Sequence, residues 1–104
     1  MSEKNYSNIL LISDLDGTLI PRYEDIRAEN IEALNAFTAA GGAFAAATGR
    51  TPESALPYLE GITVNAPSIF FNGAMLKDLT ADRVLETRTL EGEIWRTFAA
   101  RVLY

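Results

Sequence analysis

The chain has 104 residues, 48% of them hydrophobic and 22% charged, which is typical of one small globular domain. Fourteen acidic residues against nine basic ones give a net charge of −5, and an acidic surface repels phosphate backbones, so nucleic-acid binding is not expected. The absence of cysteine excludes disulfides and thiol nucleophiles, and the absence of histidine leaves proton transfer to carboxylates, lysine, tyrosine or water.

The first predicted element is a strand over Asn8–Ser13, where an unbroken apolar run indicates burial on both faces, as in a parallel sheet. Its apolar part, Ile9–Ile12, is shorter than the roughly 7–15 residues of a signal sequence and the roughly 18 of a membrane span. We therefore expect a cytoplasmic protein with no membrane partner. The Gly-, Pro- and Asp-rich stretch that follows is predicted to be a loop.

A first helix is predicted over Ile26–Ala40, because apolar residues recur there at helical spacing. Asp25 is the predicted N-cap, and the Gly41–Gly42 pair is predicted to end the helix. The apolar stripe consists of Ile31, Leu34 and Phe37, with Ala28 and Ala36 nearby.

The next segment, Ala43–Arg50, is short and apolar, and its alanines leave helix and strand both open. The flanking glycines and the strand–helix rhythm favour a strand. A second helix is predicted from Pro52 to about Glu60, with Thr51 as its N-cap.

A third strand is predicted over Ser68–Phe71, ending in an Asn-Gly turn. The stretches "AMLKD" and "RVLETRT" are predicted to form a hairpin around "LTAD". From Glu91 onward, helical spacing predicts a last helix whose apolar residues are more typical of core than of ligand contacts: Ile94, Trp95, Phe98 and Val102.

The alternation of strands and helices predicts an α/β protein with a parallel sheet. Ligands bind such sheets at the carboxyl ends of the strands, where Asp14, Thr48 and Asn72 are expected.

Asp14 and Asp16 are two nearby carboxylates that repel each other unless a cation intervenes. Mg²⁺ prefers such oxygen ligands and commonly takes one or two carboxylates together with a substrate phosphate. One carboxylate can then attack a phosphoryl group while the other transfers protons. Gly17 allows a sharp turn, and Thr18 can donate a hydroxyl hydrogen bond.

Plainer interpretations remain open for these residues. "DLDGT" is also a common surface turn, and Thr48 with Gly49 can simply end a strand. Arg50 can be solvated surface instead of a contact to an anionic substrate. Asn72 fits a plain turn as well as a pocket wall.

"DLDGTLI" after "ILLIS" resembles the first signature of the haloacid dehalogenase superfamily, whose members are mostly magnesium-dependent phosphatases that act through an aspartyl phosphate. The resemblance implies that Asp14 is the nucleophile and Asp16 the general acid/base, and that both are metal ligands, Asp16 through its backbone carbonyl. "AAATGR" resembles the second signature. It implies that Thr48 hydrogen-bonds a phosphoryl oxygen, with Gly49 and Arg50 also at the substrate.

"FFNGA" resembles a strand-end element of the branch that carries a large α/β cap, many of whose members hydrolyse sugar phosphates. The resemblance implies that Asn72 and Gly73 line the pocket and that the partner is a small phosphorylated metabolite. It implies a partial Rossmann-like three-layer α/β core over residues 1–73. Residues 74–104, a hairpin plus a helix, would begin the cap.

Two later signatures of the superfamily, a lysine and one or two acidic residues, have no match here, since Lys4 and Lys77 lie in other contexts. We therefore expect the chain to be the N-terminal part of a longer enzyme and a weak or inactive catalyst alone. Without later strands, Ile9–Ile12 would be an open apolar edge, through which the chain could self-associate.

Two other functions compete with this one. A non-catalytic binding or assembly module that keeps a relic motif would explain the incomplete signatures. A receiver-type phosphoacceptor would place its aspartate after the third strand, where this chain has "FFNG".

Overall fold

The computed structural model describes residues 5–21 and 25–88, so the helix predicted from Glu91 onward lies outside the described residues. The order of elements confirms the α/β class. The elements are β1 (Leu10–Ser13), α1 (Ala28–Ala39), β2 (Ala43–Ala46), α2 (Pro52–Leu59), β3 (Ser68–Phe70), a 3₁₀ turn (Phe71–Gly73), β4 (Met75–Asp78) and β5 (Arg83–Thr87).

The strands form a parallel part and an antiparallel part that meet at β3. β1 and β2 pair in parallel from Leu10 opposite Ala43 to Ser13 opposite Ala46. A single parallel bridge, Ala47 to Ile69, continues this arrangement from the end of β2 to β3. β3, β4 and β5 then pair antiparallel in chain order.

The predicted burial of the first strand on both faces is wrong for this chain. The four apolar residues of the run are 41–55% exposed: Ile9, Leu10, Leu11 and Ile12. The physical reason is that β1 pairs only with β2 among the described residues, so it is an edge strand. The open apolar edge that the sequence also led us to expect is therefore present.

Asp25 is not the N-cap of α1. The cap is Arg27, whose side chain makes no capping hydrogen bond, and the helix begins two residues later than predicted. Ile26, which precedes the cap, is buried in the core, and the backbone of Arg27 is extended. The predicted stop is correct, since Gly41 has φ of +101° directly after the helix.

Thr51 is the N-cap of α2 as predicted, because its hydroxyl accepts a 3.0 Å hydrogen bond from the N–H of Ser54. Neither helix of residues 5–21 and 25–88 is long and apolar enough to cross a membrane. β2 and β3 end earlier than predicted. β3 stops at Phe70 because Phe71 takes a left-handed φ of +53°.

The core lies between the helices and the parallel strands. Ser68 is fully buried there, and its hydroxyl accepts a 3.0 Å hydrogen bond from the N–H of Ala46, which ties β3 to β2. The buried apolar cluster comprises Leu15, Ile20, Ile26, Leu34, Phe44, Ala46, Ala55, Leu59, Ile62 and Phe70.

The predicted hairpin is present, with Asp78 of β4 opposite Arg83 of β5. β4 also pairs with β3, from Ser68 opposite Lys77 to Phe70 opposite Met75. The hairpin thus continues the sheet from the strand that carries the Asn-Gly turn. The division at residue 73 between a core and a cap stays a prediction.

Candidate active site

Asp14 directly follows β1 at its carboxyl end and is exposed. Its Oδ1 accepts a 2.8 Å hydrogen bond from the N–H of Leu15, whose side chain is fully buried. Its carbonyl oxygen accepts a 2.7 Å hydrogen bond from the hydroxyl of Ser13. Within the described ranges no residue donates to Oδ2 of Asp14, so this oxygen is available to a ligand while Oδ1 is held by the backbone.

The loop after Asp14 is a compact turn closed by backbone hydrogen bonds. The N–H of Ile20 donates to the carbonyl of Leu15 at 2.8 Å, and the N–H of Gly17 donates to the carbonyl of Ile20 at 3.0 Å. Gly17 has φ of +78°, a conformation that glycine adopts without steric cost. Because Leu15 and Ile20 are buried, the loop is anchored in the core while Asp16 stays at the surface.

Thr48 lies just past the end of β2 and is only 4% exposed. Its backbone N–H donates to the carbonyl of Ile69 at 2.9 Å, and its carbonyl accepts from the N–H of Asn72 at 3.1 Å. Its hydroxyl oxygen accepts a 3.0 Å hydrogen bond from the N–H of Arg50 and still has a proton to donate. Thr48 therefore joins the loops that follow β2 and β3.

The turn after β3 has three successive residues in the left-handed region: Phe71 and Asn72 at φ of +53° and Gly73 at +101°. For a bulky residue such as Phe71 this conformation is strained, and strain of this kind clusters at functional sites. A hydrogen bond of 3.1 Å from the N–H of Phe71 to the carbonyl of Arg50 helps to hold the turn.

These loops border an open cavity of about 340 Å³, which is at the lower end of the usual size of ligand pockets. It is lined by Asp14, Ala47, Thr48, Gly49, Ile69, Asn72 and Gly73. The structure thus brings together five of the eight residues predicted for the site. The remaining three, Asp16, Thr18 and Arg50, are not in its lining.

A larger cavity of about 720 Å³ lies beside α2 and the β4–β5 turn. Its lining is largely apolar, extends along the chain from Glu53 to Thr80, and contains none of the predicted site residues. The smaller cavity at the strand ends is therefore the candidate active site.

Asp16 forms a two-pronged ion pair with Arg50, with Nε to Oδ2 at 2.8 Å and Nη2 to Oδ1 at 2.7 Å. The hydrogen bonds from Arg50 lower the pKa of the Asp16 carboxyl below its usual value. The same bonds raise the pKa of the Arg50 guanidinium. Asp16 is therefore held as a carboxylate in this arrangement.

Two residues that the sequence did not single out complete this cluster. Ser54 accepts a 2.8 Å hydrogen bond from Nη1 of Arg50, and the ring of Tyr58 lies 4.5 Å from the guanidinium carbon. The signal in the sequence is the spacing of 54 and 58, which places Ser54 and Tyr58 on one face of α2, while Arg50 lies just before that helix.

The residues present fit a hard cation only in part. The free oxygen of Asp14 is a suitable ligand, and Mg²⁺ is commonly bound by one or two carboxylates with water and substrate completing the shell. The carboxylate of Asp16, by contrast, is taken by Arg50. No group of three or more acidic side chains that could hold a metal occurs in residues 5–21 and 25–88.

A parallel sheet with acidic residues after its first strand and a buried threonine after its second defines an α/β protein of the Rossmann type, with its site at the strand ends. The chain belongs to the haloacid dehalogenase-like hydrolase family, whose model matches residues 11–102.

Over 73 residues the chain is 36% identical to the pyridoxal phosphate phosphatase YbhA of Escherichia coli K12, a match that covers 70% of this chain and 27% of that protein. It is also similar to the solved structure of the phosphatase BT1666 from Bacteroides thetaiotaomicron, with a TM-score of 0.77 and 25% identity. That similarity covers 89% of this chain and 35% of BT1666.

A further similar structure is the subclass IIB sugar phosphatase BT4131, with a TM-score of 0.71 and 29% identity. That similarity covers 88% of this chain and 36% of BT4131. The chain thus spans between 27% and 36% of the length of these three relatives.

Proposed function

We propose that the protein to which this chain belongs hydrolyses small phosphomonoesters, with Asp14 as the nucleophile. The observation that carries the proposal is the shared cavity of Asp14 and Thr48 at the ends of adjacent parallel strands. Oδ2 of Asp14, to which none of the described residues donates, can attack phosphorus, and the hydroxyl of Thr48 can donate to a phosphoryl oxygen in the same cavity.

The proposed reaction has two steps. In the first, a carboxylate oxygen of Asp14 forms a bond to phosphorus, the ester P–O bond breaks, and the leaving oxygen takes a proton from Asp16. In the second, Asp16 takes a proton from water as that water attacks phosphorus, which releases phosphate and restores Asp14. The pairing with Arg50 favours the carboxylate form of Asp16, the form that the second step requires. The first step requires the protonated form, in which one oxygen carries the proton and the other still accepts from Arg50.

Thr18, Thr48, Gly49, Arg50, Asn72 and Gly73 are the residues that we propose for substrate binding. The exposed amide of Asn72 can donate to a phosphoryl oxygen, and Gly49 leaves room for that amide beside it. Thr18 and Arg50 lie outside the cavity lining and would contact a part of the substrate that extends beyond it.

Mg²⁺ is the proposed cofactor, held by the carboxylate of Asp14 and the backbone carbonyl of Asp16. Its chemistry there would be to offset the negative charge that gathers when a phosphate approaches a carboxylate. The side chains of residues 5–21 and 25–88 supply no third acidic ligand, so we expect this chain alone to bind the metal weakly and to be a weak catalyst or none.

A sugar phosphate or a similar small phosphorylated metabolite is the proposed substrate. The names of two relatives, a pyridoxal phosphate phosphatase and a sugar phosphatase, support this class. The net charge of −5 argues against nucleic acid as a partner. We also propose that the protein is cytoplasmic and has no membrane partner.

The test compares the 104-residue chain with its Asp14→Asn variant and with Asp25→Asn, an exposed carboxylate outside the cavity, as a matched control. We expect Mg²⁺ with inorganic phosphate to raise the melting temperature of the native chain and of Asp25→Asn, but not of Asp14→Asn. Any turnover of an aryl phosphate should likewise occur in the native chain and in Asp25→Asn, but not in Asp14→Asn. Equal shifts in all three chains would remove Asp14 from the proposal and favour a binding module with a relic motif.

A further inference from the structure

Arg50 uses all three of its guanidinium nitrogens within the described residues. Nε and Nη2 donate to the two oxygens of Asp16, and Nη1 donates to the hydroxyl of Ser54 at 2.8 Å. The Tyr58 ring lies against the guanidinium carbon at 4.5 Å, within the range of a cation–π contact. Arg50 therefore contacts partners from two separate elements, α2 and the loop after β1.

The backbone of Arg50 is held as firmly as its side chain. Its N–H donates to the hydroxyl of Thr48, and its carbonyl accepts from the N–H of Phe71. In the ion pair the side chain of Arg50 is 26% exposed and that of Asp16 is 54% exposed. Because Arg50 is the more enclosed partner, we take Arg50 to be the fixed residue that orients the side chain of Asp16.

An exposed aspartate without such a partner samples several staggered rotamers. The fork of the guanidinium matches the two carboxylate oxygens at once, and this sets the direction of the carboxylate as well as its distance. A lysine, which is a single point charge, would keep the charge without fixing the direction.

We infer that Arg50 is a positioning residue that fixes the direction of the Asp16 carboxylate in the loop after β1, and that Ser54 and Tyr58 hold Arg50 for this task. The inference rests on the proposed function, because the acid/base role of Asp16 is what makes its placement matter. Each oxygen of Asp16 keeps a lone pair beyond its bond to Arg50, so the held carboxylate can still accept a proton from water. Neither Ser54 nor Tyr58 needs to touch the substrate.

The experiment measures the three-bond couplings of the side-chain carboxyl carbon of Asp16 in the ¹³C,¹⁵N-labelled chain, which report its χ1 rotamers. We expect a single rotamer in the native chain and loss of that pattern in Arg50→Lys. Ser54→Ala and Tyr58→Leu should give partial averaging. Tyr58→Phe, which keeps the ring, should resemble the native chain.

Arg88→Lys is the matched control, because Arg88 pairs with Glu86 on the exposed strand β5. It should leave the couplings of Asp16 unchanged. The couplings of Asp14 serve as the internal reference, since a general loosening of the fold would average both aspartates. If Tyr58→Leu fails to fold, Ser54→Ala decides, because the Ser54 side chain is exposed and its backbone bond to Thr51 is kept.

A single Asp16 rotamer that persists in Arg50→Lys, or rotamer averaging already present in the native chain, would overturn the inference. These outcomes are independent of turnover and of phosphate binding. A chain in which Asp14→Asn changes nothing while Arg50→Lys frees Asp16 would end the proposed function and leave the positioning intact.

Discussion

Gly49 lies against the side chain of Asn72, and the lack of a Cβ atom at Gly49 makes this contact possible. A Cβ built there would be 2.9 Å from Oδ1 and 3.1 Å from Nδ2 of Asn72, closer than van der Waals contact allows. The neighbour is the end of an exposed side chain, which can turn away. The requirement for glycine at 49 therefore comes from the cavity wall and not from backbone conformation.

We predict that Gly49→Ala turns the Asn72 amide away from the cavity while changing the free energy of unfolding by no more than about 0.5 kcal/mol. The shift of the Asn72 side-chain amide signals in an ¹H–¹⁵N spectrum measures the first effect, and urea denaturation measures the second. Asn72→Ala combined with Gly49→Ala should lose no more phosphate affinity than Asn72→Ala alone. Unchanged Asn72 signals would contradict the prediction.

The ion pair of Asp16 and Arg50 predicts a dependence of stability on pH. Because the pKa of Asp16 is lowered in the folded chain, the pair stabilises the fold above the ordinary carboxyl range, and this contribution is lost as the pH falls through the lowered pKa. We expect the free energy of unfolding to fall more steeply on acidification in the native chain than in Asp16→Asn. Urea denaturation at a series of pH values provides the measurement, and parallel curves for the two chains would refute the prediction.

At the scale of elements, the two helices differ at their first residues. α2 has the capping hydrogen bond from the N–H of Ser54 to Thr51 and a proline at its first position, whereas Arg27 of α1 makes no side-chain cap. The geometry around Arg50 depends on α2, because Ser54 and Tyr58 both lie on it. The start of α2 is thus the structural support of the Asp16–Arg50 cluster.

We predict that Thr51→Ala destabilises the chain by about 1 kcal/mol, the usual effect of removing a hydroxyl cap. Thr51→Ser, which keeps the hydroxyl, should cost much less. Thermal and urea denaturation measure both variants. A loss in Thr51→Ser as large as in Thr51→Ala would show that packing of the methyl group matters and not the cap.

The sequence was sufficient for features that depend on neighbouring residues. The apolar runs, the Thr51–Pro52 start and the Gly41–Gly42 stop predicted the order of elements, and strand ends predicted that Asp14, Thr48 and Asn72 meet. It could not predict the pairing of Arg50 with Asp16, because these residues are 34 positions apart and meet only through tertiary packing. The prediction that β1 is buried was wrong for the same reason, since an apolar run does not reveal how many neighbours its strand has.

At the scale of the whole molecule, β1 has the most exposed large apolar side chain among residues 5–21 and 25–88, that of Leu10. Its free edge carries Leu10 at 55% and Ile12 at 50% exposure. β5 also presents apolar side chains, with Val84 at 46% and Leu85 at 45%. Edges of this kind pair with other strands unless charge or another element covers them.

We predict that the 104-residue chain associates through β1 in a manner that depends on its concentration. Leu10→Lys should shift the chain toward monomer, because a charge on an edge strand opposes pairing. Leu85→Lys on β5 is the matched control and should leave association unchanged. Sedimentation velocity over a range of concentrations measures this association. If only Leu85→Lys reduced the association, the interface would lie on β5 and not on β1.

β3 connects the parallel strands with the β4–β5 hairpin. β3 is hydrogen-bonded to β4 on one side and, through Ile69, to Ala47 and Thr48 on the other. The turn that contains Asn72 directly follows β3, so it lies where the β4–β5 hairpin meets the wall of the candidate active site. A change that displaced β3 would therefore reach both the hairpin and the residues that line the cavity beside Asp14.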